Sequence, residues 1–440
     1  MAKVDQRGFV NQPSSRPGGA SEPESAPAWL SGGDAAAFLG VKRETLYAYA
    51  SRGLVRSEPS GTGRDRRYRR DDLERLRARH DARAGHGPVA AGALRWGEPV
   101  LESALTAIEA GSPRYRGFSS VALAERQPFE AVAELLWSGA LPDAGAAPAW
   151  RADGLGLRAA PLTALLPAAS HPITTLSLVV PALAAVDPGR FDASVEPERR
   201  RARALILRLS AMLGFAAGGA LRARAAVARG SVAQAFLVGL GARCTPRAEH
   251  AVNRALVLSA DHELNPSSFT VRVAASAGTD LYACMSAGLA TLSGPRHGGS
   301  CDRVEALVAE VGSKERAQAV ITERARRGES VPGFGHTLYP DGDPRAAPLI
   351  RAAEELAPRS PGLRTMMAIV EAMAGRGREP PTIDVGLVAL ALALGLPPGS
   401  ATGLFAIGRT AGWVAHAFEQ REAGFVLRPR ARYVGLPAAP

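Results

Sequence analysis

At 440 residues and 46% apolar, the chain can bury a large core, which excludes a disordered or purely fibrous protein. Its net charge of +11 is carried almost wholly by arginine, Lys3, Lys42 and Lys314 being the lysines; with alanine also abundant, this reads as compositional bias, so the whole-chain charge is no argument for nucleic-acid binding. Cys244, Cys284 and Cys301 are odd in number and widely spaced, which argues against a disulfide framework or a zinc site and suits a reducing cytosol.

Residues 1–28 are polar and rich in Ser, Pro and Gly, and are expected to form a disordered lead without the apolar core of a signal peptide. The longest apolar runs, such as residues 173–186, are shorter than a membrane span and contain Pro181, so a soluble, cytoplasmic protein is expected with no membrane partner.

Residues 29–84 form a first unit. It holds 13 Lys and Arg against 8 Asp and Glu, and this net +5 in a short stretch is local, not merely compositional. Residues 34–40 predict a short helix stopped by glycine. Residues 43–52 predict a second helix ended by Gly53, with Leu46, Tyr47 and Tyr49 turned to its core or to a partner. Residues 55–68 predict a hairpin loaded at its far end with Arg64, Arg66, Arg67, Arg69 and Arg70, and a charged helix is predicted over 71–83. A helix-turn-helix with a basic wing follows. Ala35-Ala36-Ala37-Phe38-Leu39-Gly40-Val41, Thr45-Leu46-Tyr47, Arg52-Gly53-Leu54 and Arg67-Tyr68 before Asp72-Leu73 resemble the MerR/excisionase type of winged helix-turn-helix. The resemblance implies DNA contact through Arg43, Arg64, Arg66 and Arg67; a helical docking module with a solvated arginine face is the alternative.

Residues 85–93 read as a Gly/Ala/His-rich linker. Beyond them helical periodicity dominates: Phe129, Val132, Ala133 and Leu136 fall on one helical face, as do Val304, Leu307, Val308 and Val311. Pro and Gly cut the remainder into many short helices, so a large all-α domain is expected over 94–440.

The chemistry concentrates in the second half. Asp261-His262-Glu263-Leu264-Asn265-Pro266-Ser267-Ser268 is a polar interruption between apolar helices, expected to line a cleft. Ser293-Gly294-Pro295-Arg296-His297-Gly298-Gly299 places His297 before a helix N-terminus, where imidazolium is disfavoured. A neutral ring there can donate a hydrogen bond to a developing enolate; a structural loop histidine is the alternative. Val331-Pro332-Gly333-Phe334-Gly335-His336 holds a second histidine in a glycine frame, and Asp343-Pro344-Arg345 follows. Arg345 in the first turn of a helix calls for an anion beside it. Asp384 opens an apolar helix, as a desolvated base, an N-cap, or both. Arg409 lies within an apolar helix and needs an anionic partner, either a ligand carboxylate or a distant acid in the fold. Arg428-Pro429-Arg430 reads as a clamp or a basic tail. His80, His86, His171, His250 and His416 lack such frames and are expected to be structural or on the surface.

Taken together with Tyr115-Arg116-Gly117-Phe118 and Leu135-Leu136-Trp137, these motifs, in this order, resemble citrate synthase over residues 94–436. The resemblance implies an all-α homodimer with a large and a small domain, the small one spanning about residues 298–385, closing over acetyl-CoA as co-substrate and oxaloacetate. It implies that Asp384 takes a methyl proton from acetyl-CoA, that His297 hydrogen-bonds the enolate, and that His336 polarises the oxaloacetate carbonyl. His262, Arg345 and Arg409 would hold oxaloacetate, with Arg428 reaching in from the partner subunit. Val331, Gly333 and Gly335 would lie in the loop that touches the CoA adenine. No metal and no permanently bound cofactor is implied. The expected activity is citrate synthase; 2-methylcitrate synthase using propionyl-CoA, or a DNA-binding regulator sensing metabolites through this domain, are the alternatives. The sequence departs from the family at Arg296, where an apolar residue is usual, and at Thr337 and Val385.

Overall fold

The structure, a computed structural model, describes residues 29–60, 65–74, 76, 101–109, 111–143, 150–168, 170–375, 377, 379–431 and 435. The lead, the linker, most of the 71–83 segment, Arg64, His80 and His86 lie outside the described residues. Two compact units are present, one through Glu102 and one from Ser103 onward.

In the first unit Ser31 caps the helix Gly32–Leu39 by accepting from the Asp34 N–H, and Gly40, at φ +64°, ends it in the left-handed conformation. The helix Arg43–Ser51 follows. Leu46 on it is buried, as expected, whereas Tyr47 is 51% exposed and does not turn inward. The wing is a sheet of three antiparallel strands, with Arg66–Arg69 in the middle, Ser57–Pro59 on one side and Trp29–Ser31 on the other. The third strand was not anticipated, because three residues carry no readable alternation. Ala35, Ala36, Leu46, Val55, Tyr68 and Leu73 form the core, and Arg56 clamps Asp72 with three hydrogen bonds, two from its guanidinium and one from its backbone N–H.

The second unit opens with a small antiparallel sheet, Thr106–Glu109, Ser112–Tyr115 and Phe118–Ser119, and is otherwise helical. The faces read from periodicity are the buried ones: Phe129, Val132, Ala133 and Leu136 in the helix Phe129–Ser138, and Val304, Leu307, Val308 and Val311 in the helix Ser300–Val311. The longest helix, Ser400–Ala423, is buried along most of its length and packs against Pro246–Ser259, Pro266–Ser276, Leu281–Leu292 and Ile383–Leu394. Gly412 permits this contact: a Cβ there would stand 2.4 Å from the Ala260 carbonyl oxygen, and its own N–H donates to that oxygen at 3.0 Å. The close approach sets one face of the long helix, with Phe405, Arg409 and Trp413 at four-residue spacing, beside the polar segment that begins at Asp261.

Candidate active site

Each candidate side chain is held by a different local device. Glu263, at φ +51°, breaks the chain after His262, and Asn265 then caps the helix Pro266–Ser276. This bend leaves His262 buried in the segment between two helices rather than on a helix face. His297 sits in the tight turn before Ser300–Val311, where its N–H donates to the Gly294 carbonyl. The loop carrying His336 is pinned to the segment before Asp384. The Gly335 N–H donates to the Pro380 carbonyl at 2.9 Å, and the Thr382 N–H to the Gly333 carbonyl at 2.8 Å. Gly335 lies at φ +78°, a backbone conformation that favours glycine, and a Cβ there would displace the Glu379 carboxylate. Two motifs about fifty residues apart thereby become neighbours.

The three histidines and two arginines share one buried region. The rings of His262 and His336 are 5.5 Å apart at their centroids, and His336 lies 4.8 Å from Tyr339. His262 Nε2 is 2.7 Å from the Tyr339 hydroxyl. Burial, then the charges of Arg345 and Arg409, push His262 well below the ordinary histidine range. Burial and Arg409 bring His297 down to about 4. Burial and Arg345 lower His336, against the opposing pull of Asp343 and Asp384. All three imidazoles are therefore neutral at pH 7. Burial and the Arg409 charge lower His297 in the same direction as was expected from the helix that follows it.

Arg345 corrects one expectation. The helix begins at Ala346, with Arg345 as its cap residue, and the anion beside the guanidinium is Asp343 itself. Arg345 Nε donates to Asp343 Oδ1 and Nη2 to Oδ2, both at 2.9 Å, with the arginine 2% exposed. The spare Asp343 oxygen lone pairs accept from the Arg345 and Ile383 N–H groups, which ties this pair to the helix of Asp384. Arg409 is less fully neutralised. Its Nε donates to the Ser259 carbonyl at 2.8 Å, and among the described residues it makes no ion pair. Burial lowers it and the Asp261 charge opposes that effect. Asp261 is divided between Thr106, at 2.6 Å, and the fully buried His416, at 3.2 Å. The distant acid is therefore present but shared, and a second anion at Arg409 would be favourable.

Asp384 lies in the first turn of Ile383–Leu394 and is not the cap, a position taken by Thr382. Thr382 Oγ1 donates to its Oδ2 at 2.9 Å, and Cys301 Sγ to its Oδ1 at 3.2 Å. His297 Nε2 lies 2.8 Å from Ser267 Oγ, a contact whose direction follows the imidazole tautomer; Trp413 Nε1 donates to the same oxygen at 3.1 Å, and Asn265 Oδ1 lies 2.8 Å from it. Cys301, Ser267, Trp413, Asp343 and Tyr339 support the site without having been singled out as candidates. Tyr339 carried one readable signal, an aromatic residue in a polar loop three residues after His336.

Val331 is partly buried against the core in the loop with Gly333 and Gly335. Arg428 does not join the cluster: it is exposed in the extended segment after Gly424, and among the described residues no hydrogen bond or ion pair reaches it. Arg296 is exposed beside His297. In the first unit Arg43, Arg66 and Arg67 are exposed; Arg66 donates to Ser57 Oγ, and Arg67 pairs with Glu58. His171 caps the helix Pro172–Val186 and contacts Asp302, so it is structural. Among the described residues no group of three or more His, Cys, Asp or Glu side chains is placed to hold a metal ion, and no helix is long and apolar enough to cross a membrane.

The helical fold groups two buried arginines and three neutral imidazoles with the carboxylates of Asp261, Asp343 and Asp384. The family described as citrate synthase, C-terminal domain, matches residues 93–430, and a helix-turn-helix domain family matches residues 29–81. The chain belongs to the citrate synthase family and carries citrate synthase-type transferase chemistry. It is 31% identical to a citrate synthase of Mycolicibacterium smegmatis over 75% of this chain and 90% of that protein. It is 30% identical to 2-methylcitrate synthase 2 of Corynebacterium glutamicum over 74% and 90%. A 35% match to citrate synthase 2 of Bacillus subtilis covers 46% of this chain and 56% of that relative. Among solved structures, citrate synthase of Thermotoga maritima superposes with a TM-score of 0.66 at 27% identity, over 78% of this chain and 96% of that one. The Thermoplasma acidophilum enzyme, solved with carboxymethyl coenzyme A and oxaloacetate, gives 0.67 at 26% identity, over 78% and 95%.

Proposed function

We propose that this enzyme condenses acetyl-CoA with oxaloacetate to citrate and CoA. The observation that supports the reading is the grouping of three neutral imidazoles with the buried Arg345 and Arg409, and of Asp384 near His336. Asp384 takes a proton from the acetyl methyl group. His297, neutral, donates a hydrogen bond to the enolate oxygen that forms. The enolate carbon attacks the oxaloacetate carbonyl, polarised by His336, and water cleaves the resulting thioester to release the CoA thiol. His262, Arg345 and Arg409 hold the dianion; the incompletely neutralised Arg409 supplies the positive charge that a second carboxylate takes up. The Val331–Gly335 loop serves the adenine end of CoA.

Arg428 is assigned to the partner subunit's site in a homodimer. Its exposure, and that of Phe425 and Val426 beside it, suit an interface. The N-terminal unit is assigned to duplex DNA through Arg43, Arg66 and Arg67. The three unpaired cysteines suit a cytoplasmic protein.

The relatives include both citrate and 2-methylcitrate synthases. One methylene in an apolar pocket is worth only about 1–3 kcal/mol, so the acyl preference is a question for assay. Thiol release is measured with oxaloacetate and either acetyl-CoA or propionyl-CoA, for wild type and Asp384→Asn. The expected result is a higher kcat/KM with acetyl-CoA and a fall in kcat of about 10²–10⁴ in the variant, with oxaloacetate still bound. A preference for propionyl-CoA makes this a 2-methylcitrate synthase. Near-normal turnover by Asp384→Asn removes the base, and no thiol release from wild type leaves the sensing-regulator reading.

A further inference from the structure

Asp384 is held by donors from two separate elements. Thr382, on its own helix cap, takes Oδ2; Cys301 takes Oδ1 from the neighbouring helix Ser300–Val311. Cys301 lies four residues after His297 and is 1% exposed. One short stretch therefore carries both the histidine placed on the enolate oxygen and the thiol that fixes the carboxylate placed on the methyl proton.

Burial, then the Asp384 charge, raise the thiol well above the ordinary cysteine range, so it remains S–H and is no nucleophile. A thiol is a weak donor, weaker than a hydroxyl. It can fix the direction of a carboxylate oxygen while withdrawing little of its electron density, whereas a stronger donor would fix it at the expense of basicity.

We propose that Cys301 is a positioning residue for proton abstraction, orienting Asp384 Oδ1 through a deliberately weak hydrogen bond. The proposal rests on Asp384 being the base. Cys301→Ala and Cys301→Ser are prepared in the full chain, with kcat, the KM for oxaloacetate and the pH profile of kcat measured by thiol release. Cys301→Ala is expected to lose about tenfold in kcat, with the KM for oxaloacetate within about twofold. Its acidic limb should move to higher pH, because the carboxylate has lost a donor. Cys301→Ser should recover most of the turnover, with its acidic limb moved below the wild-type position.

A Cys301→Ala enzyme with wild-type kcat and an unmoved limb overturns the proposal. So do equal losses in both variants with unmoved limbs, which would make Cys301 a packing residue. If Cys301→Ala does not fold, Cys301→Ser alone decides by the direction of its limb. Wild-type protein that releases no thiol fails at Asp384 and takes the proposal with it; an active wild type beside an unchanged Cys301→Ala enzyme rejects Cys301 alone.

Discussion

The Tyr339 hydroxyl and His262 Nε2 stand 2.7 Å apart, a hydrogen bond between two groups that both remain neutral. Burial raises the phenol above its ordinary range and pushes the imidazole well below its own. The bond holds the His262 ring while Arg345, whose guanidinium lies 5.3 Å from the Tyr339 ring, is locked to Asp343. Tyr339→Phe keeps the packing and removes the partner of His262. The KM for oxaloacetate should rise by roughly 3–30-fold, with a smaller change in kcat. An unchanged KM would show that His262 is oriented by other contacts.

The role proposed for Arg428 in a partner subunit's site is tested by subunit exchange. Arg428→Ala and Asp384→Asn subunits, each inactive alone, should regain activity when mixed and allowed to exchange. A hybrid dimer would hold one intact site and one doubly damaged site. Mixing that yields no activity after exchange is verified places Arg428 outside the site.

The neutral histidines make stability depend on pH. His262, His297 and His336 have folded values below the unfolded value of about 6.5, so below that pH the unfolded chain binds more protons. Their contribution is fully present above pH 6.5 and is lost as pH falls through each folded value, which is about 4 at His297. His171, raised chiefly by its hydrogen bond to Asp302, acts oppositely: its contribution is full below 6.5 and lost as pH rises through its folded value. Glu130, Glu263 and Glu305, raised by burial, act in the same sense as His171, so the histidine effect is read by difference: the fall in the thermal unfolding midpoint from pH 7 to pH 5 should be less steep in His297→Asn than in wild type. An equal change in the two proteins over that range would mean that His297 is not buried neutral.

The N-terminal unit is tested apart from catalysis. Three phosphate contacts would weaken duplex binding roughly 40-fold between about 50 and 200 mM salt. Full-length protein should show that dependence, and a chain lacking residues 1–88 should lose DNA binding yet keep its turnover. No binding at low salt would make the unit a docking element, and loss of turnover in a folded truncated protein would show that it supports the site.

Local chemistry was legible in the sequence. The glycine frames of His297 and His336, the apolar helix behind Asp384, the helical faces of Phe129–Ser138 and Ser300–Val311, and the glycine stop at Gly40 all follow from periodicity and capping over a few residues. The resemblance supplied the grouping of the site residues. What neighbours they meet was decided by tertiary structure. Cys301 reaches Asp384 across 83 residues, Ser267 reaches His297 across 30, and His416 reaches Asp261 across 155. Such contacts depend on how closely helices approach, as at Gly412 against Ala260, and a pattern along one helix does not encode the distance to another. Arg345 shows the same limit at short range: its need for an anion was legible, but that Asp343, two residues away, supplies it is seen only in the folded chain.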